Sequence, residues 1–295
     1  MKPTNFYINQ FLDYLHLRKN YSTHTISNYE RDLCYLDNFL IENSLQLHKI
    51  TRQHCRHFLE IHFHNKNSKT ISRYISSFRS FFTFLNKHHN LSNNPWKQIR
   101  LPKQTQSLPH TLSTKDILSF LDNIDTSSLI GLRNRAICEC LYGLGLRVSE
   151  LCQLNLDDCN FESKECRILG KGNVYRTVYI GKITEKIILN YIETYRKIYM
   201  KPTSITLLIN KFGTPLSTRS IQRIVKKCAE TQGLRHSLTP HTLRHCFASD
   251  LYRGGADLAI IKDLLGHKNL STTEIYTHVA NEDLAQSLNE SHPHA

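Results

Sequence analysis

The chain has 295 residues, of which 40% are hydrophobic, and a formal net charge of +13 at pH 7. This length is typical of one large domain or two ordinary domains, and the apolar content is sufficient for packed cores. No apolar run approaches the roughly 18–20 residues that a membrane-spanning helix needs, and the N-terminal segment contains no apolar signal sequence. We therefore expect a cytoplasmic protein that has no membrane partner.

The positive charge is concentrated in the first third of the chain. Residues 1–107 contain 15 Lys and Arg against 6 Asp and Glu, whereas residues 108–295 contain 23 against 19. A basic module joined to a nearly balanced one predicts a DNA-binding arm attached to an enzyme body. Charge alone is equally consistent with a basic protein that binds no nucleic acid. The nine cysteines form no CxxC pair, which is typical of a reducing compartment.

Apolar residues at helical spacing predict a bundle of helices in the first domain, with Lys, Arg and His on their polar faces. Arg73 and Arg79 on the last of these helices are predicted to face outward, towards phosphates or towards solvent alone. The histidines between residues 54 and 64 match no closed zinc pattern, so we expect surface side chains there. The predicted helices span residues 6–17, 23–43, 51–63 and 68–88.

Prolines and polar residues predict a linker at residues 101–111, between a helical domain at 1–100 and a larger domain at 112–295. In the larger domain, helical periodicity gives way to one stretch of strand periodicity. The predicted fold class is therefore mainly α with a small β-sheet, in two domains. The predicted elements of the larger domain are helices at 114–123, 131–142, 182–199, 217–232 and 258–265 and strands at 166–169 and 174–180.

The segment LYGLGLRVSEL at residues 141–151 places an arginine at the start of a short helix. Its two glycines permit a sharp turn and a close approach to a ligand. Arg147 has five fixed donors, which suit two phosphate oxygens. Glu150, one turn later, would hold Arg147 in one rotamer. In isolation, a purely structural Arg–Glu pair explains the same residues more simply.

The sequence GKGN at residues 170–173 is the predicted turn between the two strands. Lys171 lies at its exposed tip, where its ammonium group would be able to protonate a leaving alkoxide oxygen. A lysine in a turn is usually only solvated, so this motif is weak alone. On the helix at 217–232, a basic polar side is a candidate DNA-contacting face. That side consists of Arg219, Arg223, Lys226 and Lys227.

The densest group of polar candidates lies between residues 239 and 277. A Thr-Pro pair begins a helix there. His241 and Arg244 lie one turn apart on that helix, near its N-terminus, where anions are favoured. His245 follows Arg244 directly and is therefore expected to face elsewhere.

Glycines then divide this segment into further short helices. Gly266 ends the helix at 258–265, and His267 follows at an exposed corner. Residues 271–274, Ser-Thr-Thr-Glu, form a capping box for another helix. Tyr276 therefore lies in the first turns of that helix.

Together, these motifs resemble the tyrosine recombinases of the phage integrase superfamily. The resemblance covers both domains, and the first domain resembles the family's SAM-like, core-binding domain. Within the family, residues 239–279 and the ending HPHA resemble the Xer recombinases, and the segments GGADL and THV resemble XerD more than XerC. One departure is His294, where the Xer ending usually has arginine. The resemblance assigns the catalytic set Arg147, Lys171, His241, Arg244, His267 and Tyr276.

The resemblance implies a two-domain clamp around DNA that cuts and rejoins it through a 3′-phosphotyrosine. Tyr276 would attack the scissile phosphorus and release a 5′-hydroxyl. Arg147 and Arg244 would bind the non-bridging oxygens and stabilise the transition state. His267 would donate a further hydrogen bond to these oxygens. His241 would act as an acid–base group or as another donor.

No cofactor is expected for this chemistry. Lys171 would protonate the leaving 5′-oxygen, and the phosphotyrosine conserves the energy of the broken bond. Two arginines and a lysine supply the positive charge that a metal would otherwise bring, and the sequence has no carboxylate cluster for Mg²⁺. We therefore expect an enzyme that requires neither metal nor ATP.

The partner that the resemblance implies is a double-stranded DNA recombination site, bound by a tetramer. A second Xer recombinase in a heterotetramer and a septal DNA translocase acting as activator are the further implied partners. In the family the C-terminal tail, here Asn281–Ala295, packs into the neighbouring subunit. We expect the protein to resolve chromosome dimers at cell division. The alternatives are a phage or mobile-element integrase, a relaxing activity like that of type IB topoisomerases and, from a different class, a non-catalytic architectural DNA-binding protein.

Overall fold

The chain divides into two compact units, an N-terminal unit at Met1–Leu108 and a C-terminal unit at Pro109–Ala295. Of the predicted linker, residues 102–111 lie outside the described residues. Within the described ranges, no helix combines the length and the apolarity needed to cross a membrane. The computed structural model describes residues 4–64, 66–91, 93–101, 112–170, 174–234, 238–266 and 291–294.

The described helices of the N-terminal unit begin and end within two residues of the predicted bounds. Ser22, Thr51 and Asn67 each start a helix, because their side chains accept a hydrogen bond from the backbone of its first turn. The apolar stripes meet in one aromatic core that contains the fully buried Trp96. The helices are α1 (Thr4–Leu17), α2 (Thr23–Glu42), α3 (Arg52–Phe63) and α4 (Ser68–His89).

Arg73 and Arg79 on α4 have partners inside the N-terminal unit. Arg73 donates to the buried carboxylate of Asp32 on α2. Arg79 donates through Nε to the carbonyl oxygen of Trp96 at 3.0 Å, and through Nη2 to that of Ile99. Hydrogen bonds of this charge-assisted kind stabilise a fold more than neutral ones do. Both guanidinium groups therefore tie α4 to neighbouring segments. The predicted outward orientation is wrong for Arg79, whereas the side chain of Arg73 is paired with Asp32 and still 40% exposed.

The C-terminal unit confirms the predicted helices, most of them to within two residues. The predicted helix at 182–199 is the exception, because a π-helical turn at Ile192–Arg196 interrupts it. The described helices of this unit are α5 (Thr114–Asp122), α6 (Leu129–Gly143), α7 (Val148–Gln153), α8 (Lys182–Tyr191), α9 (Lys197–Tyr199), α10 (Thr218–Thr231), α11 (Pro240–Arg253) and α12 (Leu258–Leu265).

Helix α6 is the centre of the C-terminal core. It packs against α8, α10 and α11, and residues 135–146 are all buried. A helix that is covered on every side has little freedom to shift. The chain leaves α6 at Gly143, turns at Gly145 and reaches Arg147, which is the N-cap of α7. The core therefore fixes the turn that carries the first predicted catalytic residue.

A small antiparallel sheet lies beside this core, and its described strands are neighbours in chain order. The predicted hairpin is confirmed as β2 (Glu165–Leu169) and β3 (Tyr175–Tyr179), and its register pairs Ile168 with Arg176. Strand β1 (Cys159–Asn160) was not predicted, because two residues are too few to show a period. The fold class is thus mainly α with a small β-sheet, as predicted.

The end of the chain packs against its own C-terminal unit. The ring of His292 lies between Tyr142 and Phe247, with ring centroids 4.8 and 5.0 Å away. His294 Nδ1 is 2.7 Å from an Oε1 of the fully buried Glu139. The last histidines of the tail are therefore part of the core around α6 and α11. The predicted packing of the tail into a neighbouring subunit stays a prediction.

This packing should depend on pH through His292. Burial, and secondarily the nearby His294, lowers the pKa of His292 from its ordinary 6.5 to about 3. Above pH 6.5 the His292 ring is neutral whether the tail is packed or unpacked. Between pH 6.5 and about 3, only the unpacked tail takes up a proton. The packing should therefore weaken by about 1.4 kcal/mol for each pH unit below the ordinary pKa.

Hydrogen exchange of the amides in α11 and residues 291–294, corrected for the intrinsic rate, measures this effect. We expect protection in the wild type to fall between pH 7.5 and 5.5. His292→Phe keeps an aromatic ring between Tyr142 and Phe247 but cannot titrate, so its protection should fall less. An equal loss in both proteins would assign the pH dependence to another group.

Candidate active site

The carboxylate of Glu150 lies at the centre of the predicted site and contacts three arginines. Arg147 donates to it twice, from its backbone N–H to Oε2 at 2.8 Å and from Nη1 to Oε1 at 2.7 Å. Arg176 of β3 donates to both oxygens, each at 2.9 Å. Arg244 of α11 places Nη1 3.5 Å from Oε2. The predicted Arg147–Glu150 pair is confirmed, and it is part of a larger cluster.

Glu150 stays ionised in this cluster although only 5% of its side chain is exposed. Burial by itself would raise the pKa of this carboxyl group, but hydrogen bonds from Arg176 and from Arg147 outweigh it and hold the pKa below its ordinary value. Three guanidinium groups around one carboxylate leave the cluster with net positive charge. The cluster is therefore able to attract an anion.

The end of helix α12 supplies a second set of acceptors to the same arginines. The last carbonyl groups of a helix have no partner within the helix. Here the successive carbonyl oxygens of Leu264–Gly266 accept hydrogen bonds from Arg176, Arg244 and Arg147, in that order. The bond from Arg176 Nε measures 2.8 Å and that from Arg147 Nη2 measures 3.1 Å. The arginine cluster thus fixes the point at which α12 ends.

Two glycines allow the chain to approach these arginines. Gly145, with φ at +60°, offers its carbonyl oxygen to Arg244 Nη1 at 2.6 Å. Gly266, with φ at +63°, ends α12 in the left-handed conformation, and a Cβ there would lie 3.1 Å from the side chain of Arg176. A side chain at either position would strain the backbone and press on a neighbour.

The three arginines differ in how far solvent reaches them. The side chain of Arg147 is 37% exposed, against 13% for Arg176 and 6% for Arg244. Burial, followed by the charge of Arg147, lowers the pKa of Arg244 to about 10, which leaves it charged at neutral pH. Arg147 is consequently the guanidinium group that a bound anion reaches most readily.

Helix α11 carries two of the predicted residues. His241 lies exposed in its first turn, and Arg244 follows one turn later on the buried side. His245 is exposed, and its Nδ1 lies 3.3 Å from the hydroxyl of Ser249. It therefore does face away from the buried Arg244, as predicted.

Three predicted catalytic residues, Lys171, His267 and Tyr276, lie outside the described residues. The structure thus brings Arg147 and Arg244 together and places His241 on the same helix as Arg244. Arg176 was missed by the sequence analysis. The only signal for it is a charged residue within an otherwise uncharged strand, five positions after Lys171. The predicted basic side of α10 is exposed at all of its residues, Arg219, Arg223, Lys226 and Lys227.

Comparison with known protein families agrees with the motifs. Residues 110–283 match the phage integrase family, and residues 8–89 match the N-terminal SAM-like domain of phage integrases. The chain belongs to the phage integrase family. It is therefore a tyrosine recombinase, an enzyme that transfers DNA strands at specific sites.

Curated relatives place this recombinase among the Xer proteins. It is 36% identical to tyrosine recombinase XerD of Staphylococcus saprophyticus over 98% of this chain and 99% of the relative. It is 37% identical to tyrosine recombinase XerC of Halalkalibacterium halodurans over 98% of both chains. The predicted Xer resemblance is confirmed, but these identities do not separate XerD from XerC.

A solved structure agrees with the fold of the recombinase. The XerH site-specific recombinase bound to its palindromic difH substrate, in a post-cleavage complex, is 25% identical to this chain. The TM-score is 0.69, and the match covers 95% of this chain and 83% of the other. That relative is thus known in a complex with its DNA site.

Gly145→Ala should destabilise the C-terminal unit by about 2–5 kcal/mol, as the sum of left-handed backbone strain and overpacking. The overpacking arises because a Cβ at this position would lie 2.4 Å from the Phe247 ring. Gly233→Ala is the matched control, since its φ is +78° but no described atom lies within 4 Å of its Cβ. It should cost only the backbone strain, about 1–2 kcal/mol. Thermal unfolding monitored by circular dichroism compares the two variants. Equal losses of stability in Gly145→Ala and Gly233→Ala would contradict the packing argument.

Glu150→Gln should destabilise the C-terminal unit by about 3–5 kcal/mol, because it leaves buried guanidinium groups without their counter-ion. Glu230→Gln is the control. Its carboxylate is 44% exposed and lies 3.7 Å from Lys226, and an exposed pair of this kind contributes about 0–1 kcal/mol. Urea unfolding at pH 7.5 measures both variants. A loss for Glu150→Gln no larger than that for Glu230→Gln would show that the cluster does not depend on this charge.

Proposed function

We propose that the recombinase cuts and rejoins DNA through a covalent bond to Tyr276 and that it resolves chromosome dimers at cell division. The observation that supports the chemistry best is the arginine cluster around Glu150. It holds positive charge in fixed positions within a largely buried site. Charges that are fixed before the reaction stabilise a transition state with little reorganisation.

Arg147 and Arg244 bind the non-bridging oxygens of the scissile phosphate in this proposal. As phosphorus gains a fifth oxygen, negative charge grows on these two oxygens. Arg244 is nearly buried, and charge interactions strengthen where water is excluded. Arg147 is more exposed and is the group that first meets the incoming phosphate.

The covalent step is a balanced exchange of phosphodiester bonds. The Tyr276 oxygen bonds to phosphorus, and the bond from phosphorus to the 5′-oxygen breaks. A tyrosine with an ordinary pKa of ~10 is mostly neutral at pH 7, so His241 accepts its proton. Lys171 gives a proton to the leaving 5′-oxygen, and His267 donates to a non-bridging oxygen. The products are a 3′-phosphotyrosine and a free 5′-hydroxyl, and the reverse step rejoins the strand.

This chemistry requires neither a metal nor ATP in the proposed mechanism. The energy of the phosphodiester bond is kept in the phosphotyrosine, so no nucleotide is hydrolysed. The guanidinium and ammonium groups take the role of Lewis acid for the non-bridging oxygens and of general acid for the leaving group.

DNA binding is shared by both units in this proposal, with residues 1–100 as the core-binding domain and 112–295 as the catalytic domain. The SAM-like match at residues 8–89 supports the first assignment, and the exposed basic side of α10 supports the second. The partners that we propose are a double-stranded recombination site, a tetrameric assembly that includes a second Xer recombinase, and a septal DNA translocase as activator. The tail at Asn281–Ala295 would join neighbouring subunits.

A phage or mobile-element integrase is the second candidate, because it uses the same chemistry. Recovering and sequencing the DNA bound by Tyr276→Phe in cells separates the two. A single chromosomal site near the replication terminus supports dimer resolution, whereas the ends of a mobile element support an integrase. A non-catalytic architectural protein would show neither strand cleavage nor a covalent complex.

The covalent step can be tested with a suicide substrate that is nicked beside the cleavage point. We expect the wild type to become covalently attached to the DNA and Tyr276→Phe to form no attachment, since it lacks the attacking oxygen. Tyr252→Phe is the control, because Tyr252 is a 65% exposed tyrosine outside the proposed site, and it should react like the wild type. Attachment of Tyr276→Phe to the DNA would overturn the assignment of Tyr276 as the nucleophile. Loss of wild-type attachment in the presence of EDTA would overturn the metal-free mechanism.

A further inference from the structure

We infer that Arg176 is a positioning residue for strand cleavage, because it binds both Glu150 and the end of α12 and thereby holds Arg147 in its place. This inference rests on the proposed function of the site. Arg176 belongs to none of the recognised motifs above. Its side chain nevertheless makes three hydrogen bonds in the cluster, whereas the side chains of Arg147 and Arg244 make two each.

All three guanidinium nitrogens of Arg176 donate within the protein. Nη1 and Nη2 bond to the two oxygens of Glu150 at 2.9 Å each, and Nε bonds to the carbonyl oxygen of Leu264 at 2.8 Å. Such a forked contact fixes the plane of the carboxylate as well as its position. Because each of its three nitrogens already has a partner within the protein, Arg176 is placed to act through Glu150 rather than on the DNA.

The charge of Arg176 frees Arg147 and Arg244 for the phosphate. Three guanidinium charges and one carboxylate charge leave the cluster at +2. Without Arg176, the carboxylate would face only Arg147 and Arg244, and the net charge would fall to +1. Glu150 would then compete with the phosphate for the two remaining arginines. Arg176 therefore balances the carboxylate that orients them.

Arg176 also joins two parts of the chain that lead to other proposed catalytic residues. It stands on β3, five positions after Lys171, and it binds the carbonyl of Leu264, three positions before His267. The bonds to Leu264 and Glu150 connect the hairpin, helix α7 and the end of α12 through one side chain. Loss of this connection should disturb the alignment of several groups at once. A misplacement of the order of 1 Å can cost about a hundredfold in rate.

The test compares Arg176→Met, Arg176→Lys and a control, Arg167→Met, on the suicide substrate. Arg167 lies exposed on the neighbouring strand β2, with its guanidinium group 5.0 Å from the Tyr175 ring centroid. The control removes the same charge from the same hairpin. Single-turnover cleavage with all DNA bound measures the chemical step, and a separate titration measures Kd.

We expect Arg176→Met to cleave about a hundredfold more slowly than the wild type, with Kd changed less than about threefold. Arg176→Lys keeps the charge but cannot make the forked contact, so it should cleave about tenfold faster than Arg176→Met and about tenfold more slowly than the wild type. Arg167→Met should cleave at the wild-type rate. Thermal unfolding of each variant shows what fraction is folded at the assay temperature, and rates are compared per folded molecule.

A pH profile gives a readout that loss of folding alone would not produce. Glu150 is faced by Arg147 from α7, Arg176 from β3 and Arg244 from α11. Arg176→Met removes the hydrogen bond that lowers the pKa of Glu150 most, so this pKa should rise. The carboxylate should then become protonated at a higher pH, and the acid side of the rate profile should move to higher pH than in the wild type.

Three results would overturn the inference while the wild type still forms its covalent complex. The first is a wild-type rate for Arg176→Met. The second is a loss confined to Kd and its salt dependence, which would mean that Arg176 contacts DNA directly. The third, which also applies if Arg176→Met does not fold, is a wild-type rate and pH profile for Arg176→Lys. Failure of the wild type to form the complex would instead overturn the proposed function.

Discussion

A carboxylate that is removed from water must be paired and hydrogen-bonded, and this constraint governs the site of the recombinase. Glu150 meets it with Arg147, Arg176 and Arg244, which come from three separate elements. Unpaired charge in such a place would cost several kcal/mol. The fold and the site are therefore coupled, because the elements that carry the arginines can only pack in an arrangement that brings them to this one residue.

The same arginines satisfy the end of a helix. The carbonyl groups of Leu264–Gly266 need donors, and the guanidinium groups provide them. The site is thus also a structural joint between α7, β3, α11 and α12. This double use explains why changes in stability and changes in rate must be measured separately for any residue in the cluster. It also explains Gly266, since a Cβ at this position would lie 3.1 Å from the side chain of Arg176.

Much of this arrangement could be predicted from the sequence, and the remainder has identifiable causes. Helices follow from periodicity and caps, and the Arg147–Glu150 pair follows from residues three apart on one helix. Arg176 lies 26 residues from Glu150 on a different element, and no local rule joins such positions. The partners of Arg73 and Arg79 were not predicted for the same reason, because Asp32 and Ile99 are distant from them in sequence. Strand β1 and the π-helical turn are too short or too irregular to leave a pattern.

The burial of Trp96 makes the two units optically separable. It is the only tryptophan of the chain, it is fully buried in the N-terminal unit, and its carbonyl group is held by Arg79. Selective excitation of the indole therefore observes the N-terminal unit alone, whereas the helical signal in the far ultraviolet comes from both units. Fluorescence quenching and circular dichroism, recorded on one sample, assign each unfolding step to its unit without labels or truncation.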